Sequence, residues 1–350
     1  MLDGNTVTKG SIMSIAKRGS VTLADVAEEA KVSRSTASRA LNDSPRISEE
    51  TKRHVREAAR RIGFVPNAQG RALAVGRTET IAVIVTEPID ELFADPTYSA
   101  FLGGITERLT ESAYLPVLLQ ASRPSERERF RHHLERRAFD AVIDISPYKG
   151  SEVLDSMRDL NIPGVIVGQM DDQPYEGIFS IVFSDDFEGA QLAAQAVAER
   201  GRTRPIAILG PADNPASTDR LAGYRQVFGE ALGDERVRFT QWDSSAGFAS
   251  MMEMLNLTDD FDAVLAGSDR IAVGVMEALR QSGIEVPEQV SVIGFDDHPL
   301  SKDTTPPLTT IHQPLYEEGQ IAADLAMRMI DGERPSTVVE HMRLVERESL

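Results

Sequence analysis

The sequence predicts a small all-α head joined to a large α/β body with two doubly wound parallel sheets, and three observations carry that expectation. Residues 21–42, VTLADVAEEAKVSRSTASRALN, read as two short helices with a tight turn between them. From residue 81 onward, short apolar runs alternate with amphipathic helical periods, the pattern of βαβ units in sheets covered on both faces. The charge divides between these same two regions. Residues 1–78 hold 14 Lys and Arg against 8 Asp and Glu, and the rest hold 23 against 47, so a net of +6 precedes a net of −24. A basic head on an acidic body confines any attraction for phosphate to one end.

In the head, Thr22 is a candidate N-cap, because its hydroxyl can satisfy an orphan amide of the first turn. Leu23, Val26, Ala27 and Ala30 then recur at helical spacing and give one apolar face. Ser33 caps a second helix in which Ala37 and Leu41 face inward, while Arg34, Ser35, Ser38, Arg39 and Asn42 point outward. An exposed face with two Arg and two Ser suits the major groove, where Arg forks match the acceptor pair of guanine. A surface helical hairpin with ordinary charges is the alternative. A third amphipathic segment, 49–62, is capped by Ser48 and turns Val55, Ala58, Ala59 and Ile62 inward, enough for a small shared core.

Residues 1–20 read as a disordered tail whose Lys17 and Arg18 can approach phosphates, and 21–66 as the helical head. Residues 67–78, NAQGRALAVGRT, read as a hinge in which Gly70 and Gly76 flank one or two possible helical turns. Nucleating so short a helix costs more than its few hydrogen bonds return, so it would fold only against DNA or a partner chain.

Residues 79–350 form the body. Strands are expected at 81–86, 117–120, 141–145, 164–168, 206–209, 263–267 and 290–295, with helices around 97–112, 126–137, 151–160, 186–200, 217–231, 246–256, 269–282 and 316–330. Residues 178–184 are a crossing point between two sheets, and 341–346 a last strand. At 350 residues with 41% hydrophobic content, the chain is long enough for two or three units with buried cores. The absence of Cys excludes disulfides, thiolate metal sites and a Cys nucleophile, and fits a reducing compartment. No stretch of about 18 apolar residues is present, so no membrane span is expected. The first 20 residues lack the apolar region of a signal peptide, and a cytoplasmic location follows as an expectation.

No glycine-rich phosphate loop, nucleophile elbow or paired-histidine zinc motif occurs, and nothing assembles a nucleophile, a base and an oxyanion donor. Catalysis, a cofactor and a bound metal are therefore not expected. The Asp pairs at 171/172, 185/186, 259/260 and 296/297 read mostly as solvated turn residues, and His132-His133 as a solvated helix face. A small-molecule site is better supported, because two-lobed α/β proteins bind ligands outside the carboxyl ends of their strands. Ser268 and Asp296 fall there, each following an expected strand.

The run 21–74 resembles the DNA-binding headpiece of the LacI/GalR (lactose-repressor-like) family. The residues carrying the resemblance are Thr22-Leu23, Asp25-Val26-Ala27, Val32-Ser33, Thr36, Ser38-Arg39, Leu41-Asn42, Phe64 and Pro66-Asn67-Ala68. Asp219 to Tyr224, Ser268-Asp269, Val292 to Asp297 and Pro307 to Thr310 extend it through the second lobe, so it covers about 21–350. The resemblance implies a helix-turn-helix headpiece plus a periplasmic-binding-protein-like core, with lobe 1 at about 79–180 and 312–335 and lobe 2 at about 181–311 and 336–350. It implies a repressor working as a homodimer on a palindromic operator in double-stranded DNA, controlled by a sugar-like effector bound between the lobes. The absence of a terminal leucine heptad favours a dimer over a tetramer.

The DNA-contacting set so implied is Thr22, Ser33, Arg34, Ser35, Thr36, Ser38, Arg39, Asn42 and Asn67, with Leu73 as a hinge leucine that wedges into the minor groove. The effector set is Thr97, Tyr98, Arg220, Trp242, Ser268 and Asp296, with Phe93 a weaker candidate. An Arg fork and an Asp acceptor suit the hydroxyls of a polyol. Two positions depart from the family pattern. Lys31 stands in the first turn where Gly is usual, and Gly168-Gln169 where an Arg or Asp is frequent. A solute-binding protein or sugar-active enzyme of similar two-lobed fold is the alternative, against which the headpiece and the missing catalytic groups both count.

Overall fold

The computed structural model describes residues 21–65, 76–86, 88–145, 151–170 and 174–350. They fall into two compact units, Met1–Thr78 and Glu79–Leu350. The expected tail, most of the hinge, Asn67 and Leu73 lie outside the described residues.

The first unit contains α1 (Leu23–Glu29), α2 (Arg34–Leu41) and α3 (Glu49–Ile62). All three start at hydroxyl N-caps, namely Thr22, Ser33 and Ser48. Val26, Ala37, Ala40, Val55 and Ala58 are fully buried between them. These side chains are small, so short helices approach closely around a core too thin for larger ones. Ala40, not Leu41, completes the inward face of α2; Leu41 and Ile62 pack half-buried at its rim. Lys31 takes the left-handed conformation that the turn demands, at φ 51°. That costs a non-glycine residue about 1 kcal/mol, offset by the turn's bonds from Lys31 N to Glu28 O and from Val32 N to Ala27 O, 3.0 and 2.9 Å.

The second unit opens with β1 (Thr80–Val85), α4 (Ile89–Ala94), α5 (Pro96–Thr110), β2 (Leu115–Gln120), α6 (Pro124–Glu135), β3 (Ala141–Ile145), α7 (Glu152–Asp159), β4 (Gly164–Val167) and β5 (Ser180–Ser184). It continues through α8 (Asp186–Glu199), β6 (Pro205–Leu209), α9 (Pro215–Phe228), β7 (Val237–Phe239), α10 (Ser244–Leu257), β8 (Ala263–Ala266), α11 (Asp269–Gln281) and β9 (Ser291–Ile293). It closes with β10 (Thr310–His312), α12 (Leu315–Ile330), β11 (Thr337–Glu340) and β12 (Arg343–Val345).

Two sheets result. The first runs β11-β5-β4-β3-β1-β2 and the second β7-β6-β8-β9, with every pair parallel. An antiparallel pair, β10 with β12, joins the β9 side through Gly294 N to Thr309 O, 2.9 Å. Both faces of the central strands β1, β3 and β4 are buried, as their apolar runs require. Ile81, Val83 and Val85 pack towards α5 and α12, while Ala82 and Ile84 join the cluster holding Phe130 and Leu154. Helices α5 and α12 cross so closely that a Cβ on Gly104 would lie 1.9 Å from the Tyr316 carbonyl oxygen.

The lobe boundaries differ from the expectation. Residues 181–184 and 337–340, expected in the second lobe, belong to the first sheet, where Val338 pairs with Val182. A buried apolar strand carries no mark of which sheet it joins; hydrogen-bonding neighbours decide that. The chain thus crosses between lobes after β5, after β10 and after β11. Short α4 and the three-residue β7 were not anticipated, having too few residues to show a period. Among the described residues, no helix is long and apolar enough to cross a membrane.

Candidate effector cleft and helix-turn-helix face

In each sheet the strand order reverses beside its first strand, between β1 and β3 in one lobe and β6 and β8 in the other. Crevices open outside the carboxyl ends of strands at such points. A cavity of about 420 Å³ lies there, within the size range of small-molecule sites. Thr97, Tyr98, Arg220, Trp242, Ser268 and Asp296, the six candidates from the sequence, all line it. Phe93 does not, and is 78% exposed.

The second lobe's wall is built around Arg220, carried on α9 and 5% exposed. Its Nε donates to Asp186 Oδ1 at 2.7 Å, and its Nη1 donates to the Gly267 carbonyl and to Asp296 Oδ1, the latter at 3.4 Å. The guanidinium lies 3.7 Å from the Phe295 ring centroid and 5.6 Å from that of Trp242. A buried guanidinium is tolerable because two carboxylates neutralise it and a ring face takes its flat side. Trp242 serves cavity wall and packing together, since a Cβ on Gly210 would meet its indole at 2.2 Å.

Asp296 follows β9 with φ at 100°, and Asp297 has φ 58°. Two successive non-glycine residues with positive φ cost of order 1–3 kcal/mol each and persist only where the surroundings over-determine them. The Asp296 amide donates to Ile311 O at 2.8 Å, while Asp297 accepts from Arg347 and lies 3.1 Å from His312 Nδ1. This bend brings the Asp296 carboxyl to Arg220. Burial pushes that carboxyl up to about 7.

Several cleft residues were not singled out from the sequence. Asp186 read as a solvated turn residue but is buried against Arg220; Asp297, outside the cavity lining, is partly buried against Arg347. Asp259 and Asp260 are exposed as expected, and Asp171 and Asp172 lie outside the described residues. His298 is 3% exposed, 3.1 Å from Thr97 Oγ1 and 3.9 Å from Asp296 Oδ2, and burial lowers it to about 4. Glu318, one turn into α12, accepts from the Ser184 hydroxyl and is pushed up to about 8 by burial.

Among the described residues, polar contacts join the lobes across the cleft. Arg270 Nη1 reaches Asp95 Oδ2 at 2.8 Å, His298 meets Thr97, and Gln169 Nε2 donates to Asp219 Oδ2 at 2.7 Å. The signal that sequence offered was position alone. Asp95 precedes Pro96 as a helix cap, while Arg270 and His298 trail strand-end motifs by one or two residues.

In the headpiece, Arg34, Ser35 and Arg39 are exposed on α2, and Thr36, Ser38 and Asn42 are half-buried. Among the described residues, the guanidinium groups of Arg34 and Arg39 have no hydrogen-bond or ion-pair partner, whereas Arg56 pairs with Asp43 and Arg61 with Glu29. Ser33 Oγ caps α2 through Thr36 N at 3.1 Å and lies 2.9 Å from Ser35 Oγ. Thr22 is committed to a reciprocal cap with Asp25, accepting from its amide at 3.4 Å.

A helical head whose α2 turns Arg34 and Arg39 outward, together with a two-lobed body that holds a polar cleft, defines a class of two-unit regulators. A family model described as bacterial regulatory proteins, lacI family, matches residues 22–67, and one described as periplasmic binding protein-like domain matches residues 194–350. The HTH-type transcriptional regulator CelR of Thermobifida fusca is 33% identical over 338 residues, which cover 95% of this chain and 99% of that protein. The solved transcriptional regulator CelR–cellobiose complex matches with a TM-score of 0.74 at 33% identity, covering 94% of this chain and 99% of that one. The lac repressor dimer bound to operator and the anti-inducer ONPF matches with a TM-score of 0.80 at 25% identity, covering 94% and 98%. The chain belongs to the LacI family of bacterial regulators.

Proposed function

We propose that this regulator represses transcription from a palindromic operator and that a polyhydroxylated effector in the interlobe cavity controls its grip. The observation that carries the reading is the Arg220 cluster, a donor fork beside two carboxylates on a cavity wall that also holds Trp242. Donors and acceptors at one wall with an indole beside them suit hydroxyls on one face of a sugar and C–H groups on the other. Cellobiose, bound in the CelR complex, is a ligand of that chemistry.

Arg34, Ser35 and Arg39 are proposed to read bases, and Ser33, Thr36, Ser38 and Asn42 to set the helix on the backbone. Thr22 contributes through its cap, and Asn67 and Leu73 retain the roles that family resemblance implies. The active species is proposed to be a homodimer, as a palindromic site requires. Edge strand β2 exposes Leu115, Val117 and Leu118, a surface for a second copy. A cytoplasmic protein without catalytic activity completes the reading, supported by relatives that are regulators.

The test is selection of bound duplexes from a randomised library by the full chain, followed by sugar titration of the enriched site. The expected result is a palindromic consensus whose affinity changes on addition of sugar. Failure to enrich any sequence would refute the DNA-binding reading.

A further inference from the structure

We propose that the cavity selects an uncharged polyol and rejects its phosphorylated, carboxylated and amino derivatives. This deepens the effector reading above and rests on it. Among the described residues, five carboxylates line the cavity, Asp95, Asp186, Asp243, Asp296 and Glu318, against two guanidinium groups, Arg220 and Arg270. No lysine lines it.

Both cations are already engaged. Arg220 lies between Asp186 at 2.7 Å and Asp296 at 3.4 Å, and Arg270 pairs with Asp95 at 2.8 Å. A phosphate or carboxylate entering the cleft would break one of these pairs and expose the released carboxylate to a second anion. His298, held neutral by burial, offers no replacement charge.

Helix N-termini are the other usual resource for an anion, because their first amides lack partners. Four of them reach the cavity through lining residues that are themselves N-caps, and α12, which also reaches it, has no side-chain cap but carries Glu317 and Glu318 in its first turn. Asp95 accepts from Thr97 N at 2.9 Å on α5, and Asn214 from Ala216 N at 3.0 Å on α9. Asp243 accepts from Ala246 N at 2.8 Å on α10, and Ser268 from Ile271 N at 3.2 Å on α11. Two of these caps are carboxylates, which turn the local field against an incoming anion.

Among the described residues the lining carboxylates are as fully engaged as the cations, so an ammonium group finds no unengaged anion among them. Asp95, Asp186 and Asp296 face guanidinium groups, and Asp243 holds its cap and Ser245. Glu318 takes the Ser184 hydroxyl, and burial favours its uncharged form. The polar capacity left for a ligand is that of dipoles, from Gln169, Gln241, Gln313 and the shared edges of the Arg220 cluster.

The experiment is calorimetric titration of the full chain with matched ligands: glucose, glucose 6-phosphate, glucuronate and glucosamine, then cellobiose and cellobionate. Operator affinity is measured in the same samples. The neutral member of a set should bind at least a hundredfold more tightly than its charged derivatives. Asp95→Asn keeps the cap but frees Arg270, and should narrow the gap between neutral and anionic members at least tenfold. A charged derivative that binds within tenfold of its neutral parent in the wild-type chain overturns the proposal. An unchanged gap in Asp95→Asn overturns the ion pairing as its cause. If charged ligands bind and shift operator affinity, the proposal fails while the effector reading stands. Absence of binding by every member overturns both.

Discussion

The Arg270 guanidinium lies 2.8 Å from the Asp95 carboxylate, tying the second lobe to the first across the cleft. Both side chains are about one-fifth exposed, so water screens the pair only partly. Arg270→Ala should weaken effector binding by about fivefold, the equivalent of about 1 kcal/mol for a partly exposed pair. Calorimetry at low and high salt checks it, because salt should weaken the parent more than the variant. Equal salt dependence in both would remove the pair from closure.

A ligand alters DNA affinity only by as much as its own affinity differs between the two conformations. Asp296 is therefore predicted to matter for response more than for DNA binding. Asp296→Ala should cost about 1.5–3 kcal/mol of effector affinity, as for charge-assisted hydrogen bonds, and leave operator affinity without effector nearly unchanged. Arg220 keeps Asp186 in the variant, so its charge stays compensated. Unchanged effector affinity would place the ligand elsewhere in the cavity.

Arg34 projects from α2 without a partner among the described residues. Arg34→Ala should relax base preference at one operator position, with a loss of about 1–3 kcal/mol there. Binding measured on single-base operator variants reads this directly. Uniform weakening across all of them would assign Arg34 to phosphate.

Stability should depend on pH through buried carboxyls. Burial raises Asp144 to about 8, Asp296 to about 7 and Glu318 to about 8. In the unfolded chain such groups titrate near 4, so between about pH 4 and these raised values the folded state holds the extra protons. Stability falls as pH rises through that window. His298 acts in the opposite sense, because burial lowers it to about 4. Its contribution is complete above the unfolded value of about 6.5 and is lost as pH falls below it. The melting temperature of the body should therefore climb as pH drops from about 9 to about 6.5, and Asp144→Asn should raise it at the alkaline end. Thermal unfolding across this range checks both, and a flat profile contradicts the assignment.

The headpiece was legible because its information is local. Thr22, Ser33 and Ser48 cap within three residues, and α2 and α3 show their inner faces as a period. Even there, the exchange of Leu41 for Ala40 at the core needed the neighbouring helices. In the body, Ser268 and Asp296 could be placed because each ends a strand-like run. Asp186 could not, because an Asp-Asp pair at a strand end looks the same whether water or Arg220 surrounds it.

The sequence by itself determined the alternation of longer strands and helices, the burial of the central strands on both faces and the segregation of basic head from acidic body. Those properties follow from short-range periodicity, capping and charge counts. Only the tertiary structure decided which sheet receives 181–184 and 337–340, and which carboxylates close on which arginines. Asp95 and Arg270 are 175 residues apart, as Thr97 and His298 are 201 apart. No local pattern records such pairings. They exist because two sheets, each folded from its own neighbours, present their carboxyl ends to one cleft and bring these side chains within reach of one another.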